Sequence, residues 1–211
     1  MPNELANVNR SECFNRFQVA FRRATQNIDE YYFKVSVANL SGHYFRERVY
    51  CYELYHQLRI NLSGFHNFPY ALQGEMDKNS HPIIHNEISA VKPDFILHKP
   101  GTMDQNLLVI EVKPLNNTSY SQLKKDLDTL TGFIDLGYYR AIHLIYGSLG
   151  RGERDIFKVI KAYDRYNSEF GGLNANRGKF LLYWHRASGQ RAIKYNWERD
   201  IFDCAEEGTP Q

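Results

Sequence analysis

Four consecutive apolar residues, Leu107, Leu108, Val109 and Ile110, lead straight into Glu111-Val112-Lys113. A run this apolar fits a strand covered on both faces. Side chains alternate along a strand, so Glu111 and Lys113 project to one side while Ile110 and Val112 project to the other. A carboxylate and an ammonium therefore leave the end of a buried strand together. Upstream, Pro93-Asp94 opens a second strand over residues 95–98, and the connector 99–105 holds Pro100-Gly101 and Asp104. Such a connector predicts a hairpin, which sets Asp94 across from the Glu111 end of its partner. Two acids and a lysine converge at one edge of a small sheet.

The flanking segments supply a setting for that edge. Residues 11–27 carry Phe14, Phe17 and Phe21 at helical spacing, and residues 30–38 alternate with period two (Phe33, Val35, Val37), which predicts a strand. Residues 43–62 predict a helix with Cys51, Leu54, Tyr55, Leu58 and Leu62 on one face. Glu53 falls on the opposite side, amid Val49, His56, Gln57 and Ile60, and a carboxylate on a helix covered on both sides needs a partner. Pairing with Arg46 or Gln57 at the surface is the plain alternative. Residues 70–78 predict the first sheet strand, with Glu75 and Asp77 sharing a face. In the loop that follows, His81 and His85 are spaced like a metal pair, but Pro82 argues against a helix carrying them.

Beyond Lys113, Ser119 and Gln122 form a capping box at the start of a helix. Its buried stripe is Tyr120, Leu123, Leu127, Leu130 and Ile134, with Gly137 as the stop; Lys124, Lys125, Asp126 and Asp128 are placed off the stripe. Residues 141–146 form the next strand, and the connection to it is long enough for a parallel crossover. The loop 147–154 is rich in Gly and Arg but lacks the Gly-Lys-Ser/Thr of a phosphate-cradling P-loop. A helix over 155–166 and a hairpin of 179–185 with 191–197 complete the pattern. The hairpin interleaves Arg186, Arg191 and Lys194 with Tyr183, Trp184, Tyr195 and Trp197. Those letters fit a grip on nucleic acid or aromatic packing on the domain, and packing is the favoured reading.

A chain of 211 residues predicts one domain: a core at 43–146, an N-terminal extension at 1–42, a helix and hairpin at 147–200, and a loose tail at 201–211. With 26 basic against 24 acidic residues there is no global polycation, so any nucleic-acid surface must be a local patch. Cys13, Cys51 and Cys204 lack metal or disulfide spacing, which points to a reducing cytoplasm. No apolar run approaches the ~18 residues of a membrane span.

Pro93-Asp94, a gap, and then Glu111-Val112-Lys113 resembles the PD-(D/E)xK nuclease superfamily, over about residues 43–146. The resemblance implies an α/β chain with a restriction-endonuclease-like core, a central mixed four-stranded sheet flanked by helices in the order αβββαβ. To this the chain adds an N-terminal helix and a C-terminal helix and β-hairpin. It implies Asp94 and Glu111 as ligands of Mg²⁺ or Mn²⁺, the Val112 carbonyl as a further ligand, and Lys113 in catalysis. Glu53 matches the glutamate that the first core helix of such proteins often supplies. Gln122 and Lys125 become candidates for phosphate contact, and Glu75 for the margin of the site. The implied activity is metal-dependent phosphodiester hydrolysis in DNA, of restriction, repair or anti-phage type. The alternative is a non-catalytic nucleic-acid- or protein-binding module on the same fold. Cutting both strands of a duplex needs two sites, which a homodimer would provide.

Overall fold

The computed structural model describes residues 9–36, 38–39, 42–74, 92–101, 105–171 and 178–203. The chain is α/β. Helix α1 (Arg10–Gln26) is capped by the Asn9 side chain, which accepts from the backbone N–H groups of Ser11 and Glu12, and it buries Phe14, Phe17 and Phe21 as its spacing predicts.

The strand expected at 30–38 does not form over its first half. Asp29 accepts from the Tyr31 N–H and starts the one-turn helix α2 (Glu30–Phe33), in which Phe33 is buried, while Val35 beyond it is only half-buried. The local cap outcompetes the period-two pattern. Strands β1 (Val35–Ser36) and β2 (His43–Tyr44) then form a two-rung antiparallel pair. This pairing takes residues 43–44 out of the predicted helix, and α3 (Glu47–Ser63) begins only after it.

The main sheet has seven strands: β3 (Ala71–Gly74), β4 (Phe95–His98), β5 (Leu108–Pro114), β6 (Arg140–Tyr146), β7 (Phe180–His185), β8 (Ile193–Asn196) and β9 (Ile201–Asp203). They lie side by side in chain order. β3, β4 and β5 are mutually antiparallel; β5, β6 and β7 are parallel; β7, β8 and β9 are antiparallel again. The sheet is therefore wider than the four strands expected from sequence. The C-terminal hairpin does not sit apart as an appendage; β7 bonds to β6 along six rungs. Residues 201–203, expected in a loose tail, form the far edge. Each parallel step is bridged by a helix, α4 (Tyr120–Asp135) and α5 (Phe157–Phe170), as parallel pairing requires.

Two apolar layers hold the helices to the sheet. On one face α1 and α3 cover Leu108, Ile110, Val112, Ile142 and Leu144; on the other α4 and α5 cover Val109, Ala141, Ile145, Leu182 and Trp184. The alternation along β5 and β6 sends even-numbered residues to the first layer and odd-numbered ones to the second. The first layer includes an aromatic box in which Tyr50 stacks on Tyr146 at 3.9 Å between centroids and its hydroxyl meets His185 Nδ1 at 2.7 Å. Phe33 closes the box edge-on against both Tyr146 and His185. Burial pushes His185 down to about 4, so it packs as a neutral ring. No helix among the described residues is long and apolar enough to cross a membrane.

Candidate active site

The pairing of β4 with β5 ends at Phe95 opposite Ile110, which sets Asp94 opposite Glu111. Opposed residues of an antiparallel pair point to the same face. On the other side of β5, Glu111 is in register with His143 of β6. Asp94, Glu111 and His143 thus form a polar row across three strands, on the face covered by α4 and α5. Lys113 lies one side-chain repeat further along β5 on that face.

Asp94 also replaces a rung of the sheet. Its Oδ2 accepts from the Val112 N–H at 2.7 Å, where β4 has already turned away. In a strand the N–H and C=O of one residue point to the same edge. The Val112 carbonyl therefore faces the same edge, beside the carboxylate of Asp94.

The row is rich in acid. Glu111 is 7% exposed, and its carboxyl lies across the strand pair from that of Asp94, close enough for the two to repel. Burial, then repulsion from Asp94 and Asp126, holds the Glu111 carboxyl well above the usual range. Burial likewise lifts Asp94 to about 7, against the pull of the Val112 N–H and with further repulsion from Glu47. Lys113 Nζ lies 3.1 Å from Glu47 Oε2 and 3.4 Å from Asp126 Oδ2. Burial alone would lower its pKa, but the Asp126 and Glu47 carboxylates outweigh that and raise it. Lys113 is an ammonium at neutral pH.

Behind Asp126 the polar chain continues inward. His143 Nε2 lies 3.5 Å from Asp126 Oδ2, and its Nδ1 lies 2.9 Å from the Tyr163 hydroxyl. Asp126 is 6%, His143 1% and Tyr163 3% exposed. His143 Nε2 and Asp126 Oδ2 face each other across 3.5 Å without a hydrogen bond, and neither buried atom has another hydrogen-bond partner among the described residues. The line from Tyr163 through His143, Asp126 and Lys113 to Glu47 joins α5, β6, α4, β5 and α3.

Of the residues expected from sequence, Asp94, Glu111, Val112 and Lys113 are brought together. Glu53 is not among them: its Oε1 accepts from Gln57 Nε2 at 2.7 Å along α3, and Glu47, six residues earlier, is the α3 glutamate that reaches Lys113. Six residues turn a helix through ~600°, which sets the two carboxylates about 120° apart. Gln122 is occupied in the predicted capping box, its Oε1 accepting from the Ser119 hydroxyl at 2.9 Å and the Ser119 N–H at 3.4 Å. Lys125 is exposed on α4. Glu75, Asp77, His81 and His85 lie outside the described residues.

Sequence reading missed Glu47, Asp126 and His143. Asp126 was placed off the α4 stripe, yet it is three residues after Leu123 and four before Leu130, and it is buried with them. Glu47 precedes Cys51 by four and Leu54 by seven on the buried side of α3. An acid at a stripe position was the available signal in both cases. For His143 the signal was an imidazole inside the apolar strand Ala141–Tyr146, in a register that only the folded sheet reveals.

A cleft of about 590 Å³ opens onto Asp94 and Glu47, lined also by Arg48, Tyr52, Tyr55 and Lys92. Among the described residues no three His, Cys, Asp or Glu side chains form a complete metal-ligand set. No protein-family model, curated protein or solved structure matches the chain.

Proposed function

We propose that this protein is a divalent-metal-dependent nuclease that hydrolyses phosphodiester bonds in DNA, with a site of the PD-(D/E)xK type on a restriction-endonuclease-like arrangement of β3, β4, β5, α4 and β6. The observation that carries the reading is the excess of carboxylate over cation. Asp94 and Glu111 lie side by side, with Glu47 and Asp126 nearby, around the ammonium of Lys113. Such a pair either retains a proton or takes up a cation.

Two carboxylates and one carbonyl, from Asp94, Glu111 and Val112, suit Mg²⁺ or Mn²⁺. Mg²⁺ keeps several waters and is commonly held by one or two carboxylates together with substrate phosphate, so a complete protein cage is not needed. A bound divalent ion supplies Lewis acidity at the phosphoryl oxygen and a water of lowered pKa. Lys113 is protonated, so it acts as a donor rather than a base: it orients the attacking water and offsets charge that grows on the phosphorus oxygens. Glu47 and Asp126 hold its ammonium from two sides. Arg48, Tyr52 and Lys92 line the approach to Asp94 and suit a polyanion with stackable bases.

The test is cleavage of labelled duplex DNA, single-stranded DNA and RNA, each with Mg²⁺, with Mn²⁺ and with chelator. Cutting is expected with either metal and not with chelator. Lys113→Ala should lower it by at least ~10²-fold, the cost of losing one charge-stabilising donor. Metal binding that Asp94→Ala or Glu111→Ala abolishes, without cutting of any substrate, would favour the binding-module reading. Absence of both metal binding and cutting overturns the proposal.

A further inference from the structure

A second basic pocket lies apart from the acidic row. It has a volume of about 590 Å³ and is lined by Asn116, Thr118, Ser119 and Tyr120 on one wall and by Lys158, Lys161 and Arg165 on the other. No Asp or Glu is part of its lining. The three cations come from one side of α5, since spacings of three and seven return a helix to the same face. Arg165 is partly committed: its Nε lies 2.7 Å from Glu169 Oε1, and its guanidinium stacks at 3.7 Å over the Tyr120 ring, whose hydroxyl also bonds to Glu169. Lys158 and Lys161 are exposed, and among the described residues neither has a hydrogen bond or ion pair. Two unpaired ammonium groups thus face hydroxyl and amide side chains across an open pocket.

The pocket adjoins the candidate active site along the chain. Strand β5 ends at Pro114, directly after Lys113, and a single 3₁₀ turn (Leu115–Asn117) leads into the pocket wall. Asn116 is three residues from Lys113, a reach of at most ~10 Å. Successive nucleotides of a strand rise ~3.4 Å each, so a strand passing Lys113 would present another phosphate here within a few nucleotides. We propose that this pocket binds a backbone phosphate of the nucleic acid, with Lys158 and Lys161 as the cationic contacts. The inference rests on the nuclease reading for its substrate, but its test does not depend on cutting.

The experiment measures binding of a labelled DNA duplex and of a labelled single strand to the full-length protein, across a salt series and without divalent metal. The comparison is between the unaltered chain and the Lys158→Ala/Lys161→Ala variant. Each phosphate contact contributes ~0.9 to the logarithmic salt slope on duplex and ~0.7 on a single strand. The double variant should therefore bind roughly 10- to 100-fold more weakly near 0.1 M salt and lose about 1.8 (duplex) or 1.4 (single strand) of the slope. Its hydrolysis of a small phosphodiester, too short to span both sites, should remain at the level of the unaltered chain. Inorganic phosphate serves as the control ligand. If it alone reproduces the lysine-dependent binding while DNA affinity is unaffected by the substitutions, the pocket takes free phosphate and the proposal fails. An unchanged slope and affinity for DNA also overturn it. Lysine-dependent DNA binding by a chain that never cuts supports the pocket and counts against the nuclease reading alone.

Discussion

Glu111 carries most of the tension at the site. A buried carboxylate beside a second one is costly when both are ionised, and that cost is what makes the pair receptive to a cation. Glu111→Gln keeps the shape and removes one charge. At pH 8 without metal it should raise the melting temperature by at least ~2–4 °C, the shift for about 1 kcal/mol in a chain of this length. The further rise that Mg²⁺ gives the unaltered protein should vanish; calorimetry with and without Mg²⁺ reads both. The two α3 glutamates separate in the same way. Glu47→Gln removes an anion 3.1 Å from Lys113, whereas Glu53→Gln disturbs only an i,i+4 contact with Gln57. Cleavage should fall ~10–100-fold in the first, as expected for a group that orients a reacting one, and stay unchanged in the second. A loss of equal size in both would mean that the Glu47 contact with Lys113 has no special part in cleavage. Asp126→Asn should act like Glu47→Gln, lowering the turnover number while leaving Mg²⁺ affinity unchanged. Of these residues Asp94, Glu111 and Lys113 were legible from local pattern. Asp126 was hidden because it was placed off the α4 stripe with Lys124, Lys125 and Asp128.

At the scale of elements, the turn that ends β6 decides how tightly the loop after it can close. Gly147 has φ +99, and a Cβ there would come within 2.7 Å of the Phe45 ring. Its carbonyl also accepts from Trp184 Nε1 at 2.8 Å, which ties the turn to β7. The loop beyond is gathered on buried Asp155, which accepts from the Ser148 hydroxyl, the Leu149 N–H and Arg151 Nε. Gly147→Ala places a side chain where both the backbone angle and the space refuse it. It should cost ~2–4 kcal/mol, combining backbone strain with displacement of Phe45. Chemical denaturation would show this as a lower midpoint with an unchanged slope. From sequence the strand is expected to end at residue 146, and the loop 147–154 is marked only by its Gly and Arg content. The strand does end at Tyr146, but Asp155 gives the loop three fixed anchors that composition does not announce.

For the whole molecule two buried titrations, of Asp94 and His185, act in opposite directions. Asp94 binds a proton more tightly folded than unfolded, so its contribution is complete below its unfolded pKa near 4 and is lost as pH rises towards about 7. His185 binds a proton less tightly folded, so its contribution grows between about 4 and 6.5. The two oppose each other across that interval. Above pH 6.5 the carboxyl pair still favours its proton in the folded state, so stability should fall as pH rises through 7. Saturating Mg²⁺ should restore it, because an ion that binds only the folded state stabilises by mass action. Melting curves from pH 5 to 9 with and without Mg²⁺ test this: a metal-induced shift that is larger at pH 8.5 than at pH 5.5 is expected, and a shift independent of pH would count against the carboxyl pair as its site.

Local pattern alone determined the α1 and α4 stripes, the capping box of α4, the β4–β5 hairpin and the meeting of Asp94 with Glu111 and Lys113. Each depends on residues close in the chain or on a two- or 3.6-residue period. Only the tertiary structure decided the rest. The seven-stranded sheet needed β7 to add in parallel to β6 through α5, a choice made by burial of Leu182 and Trp184 rather than by any motif. The line from Tyr163 to Glu47 draws one residue from each of five elements, so no spacing within a single element encodes it. Burial of Asp126, His143 and Tyr163 in the layer under α4 and α5 is what brings these polar groups, far apart in sequence, beside one another.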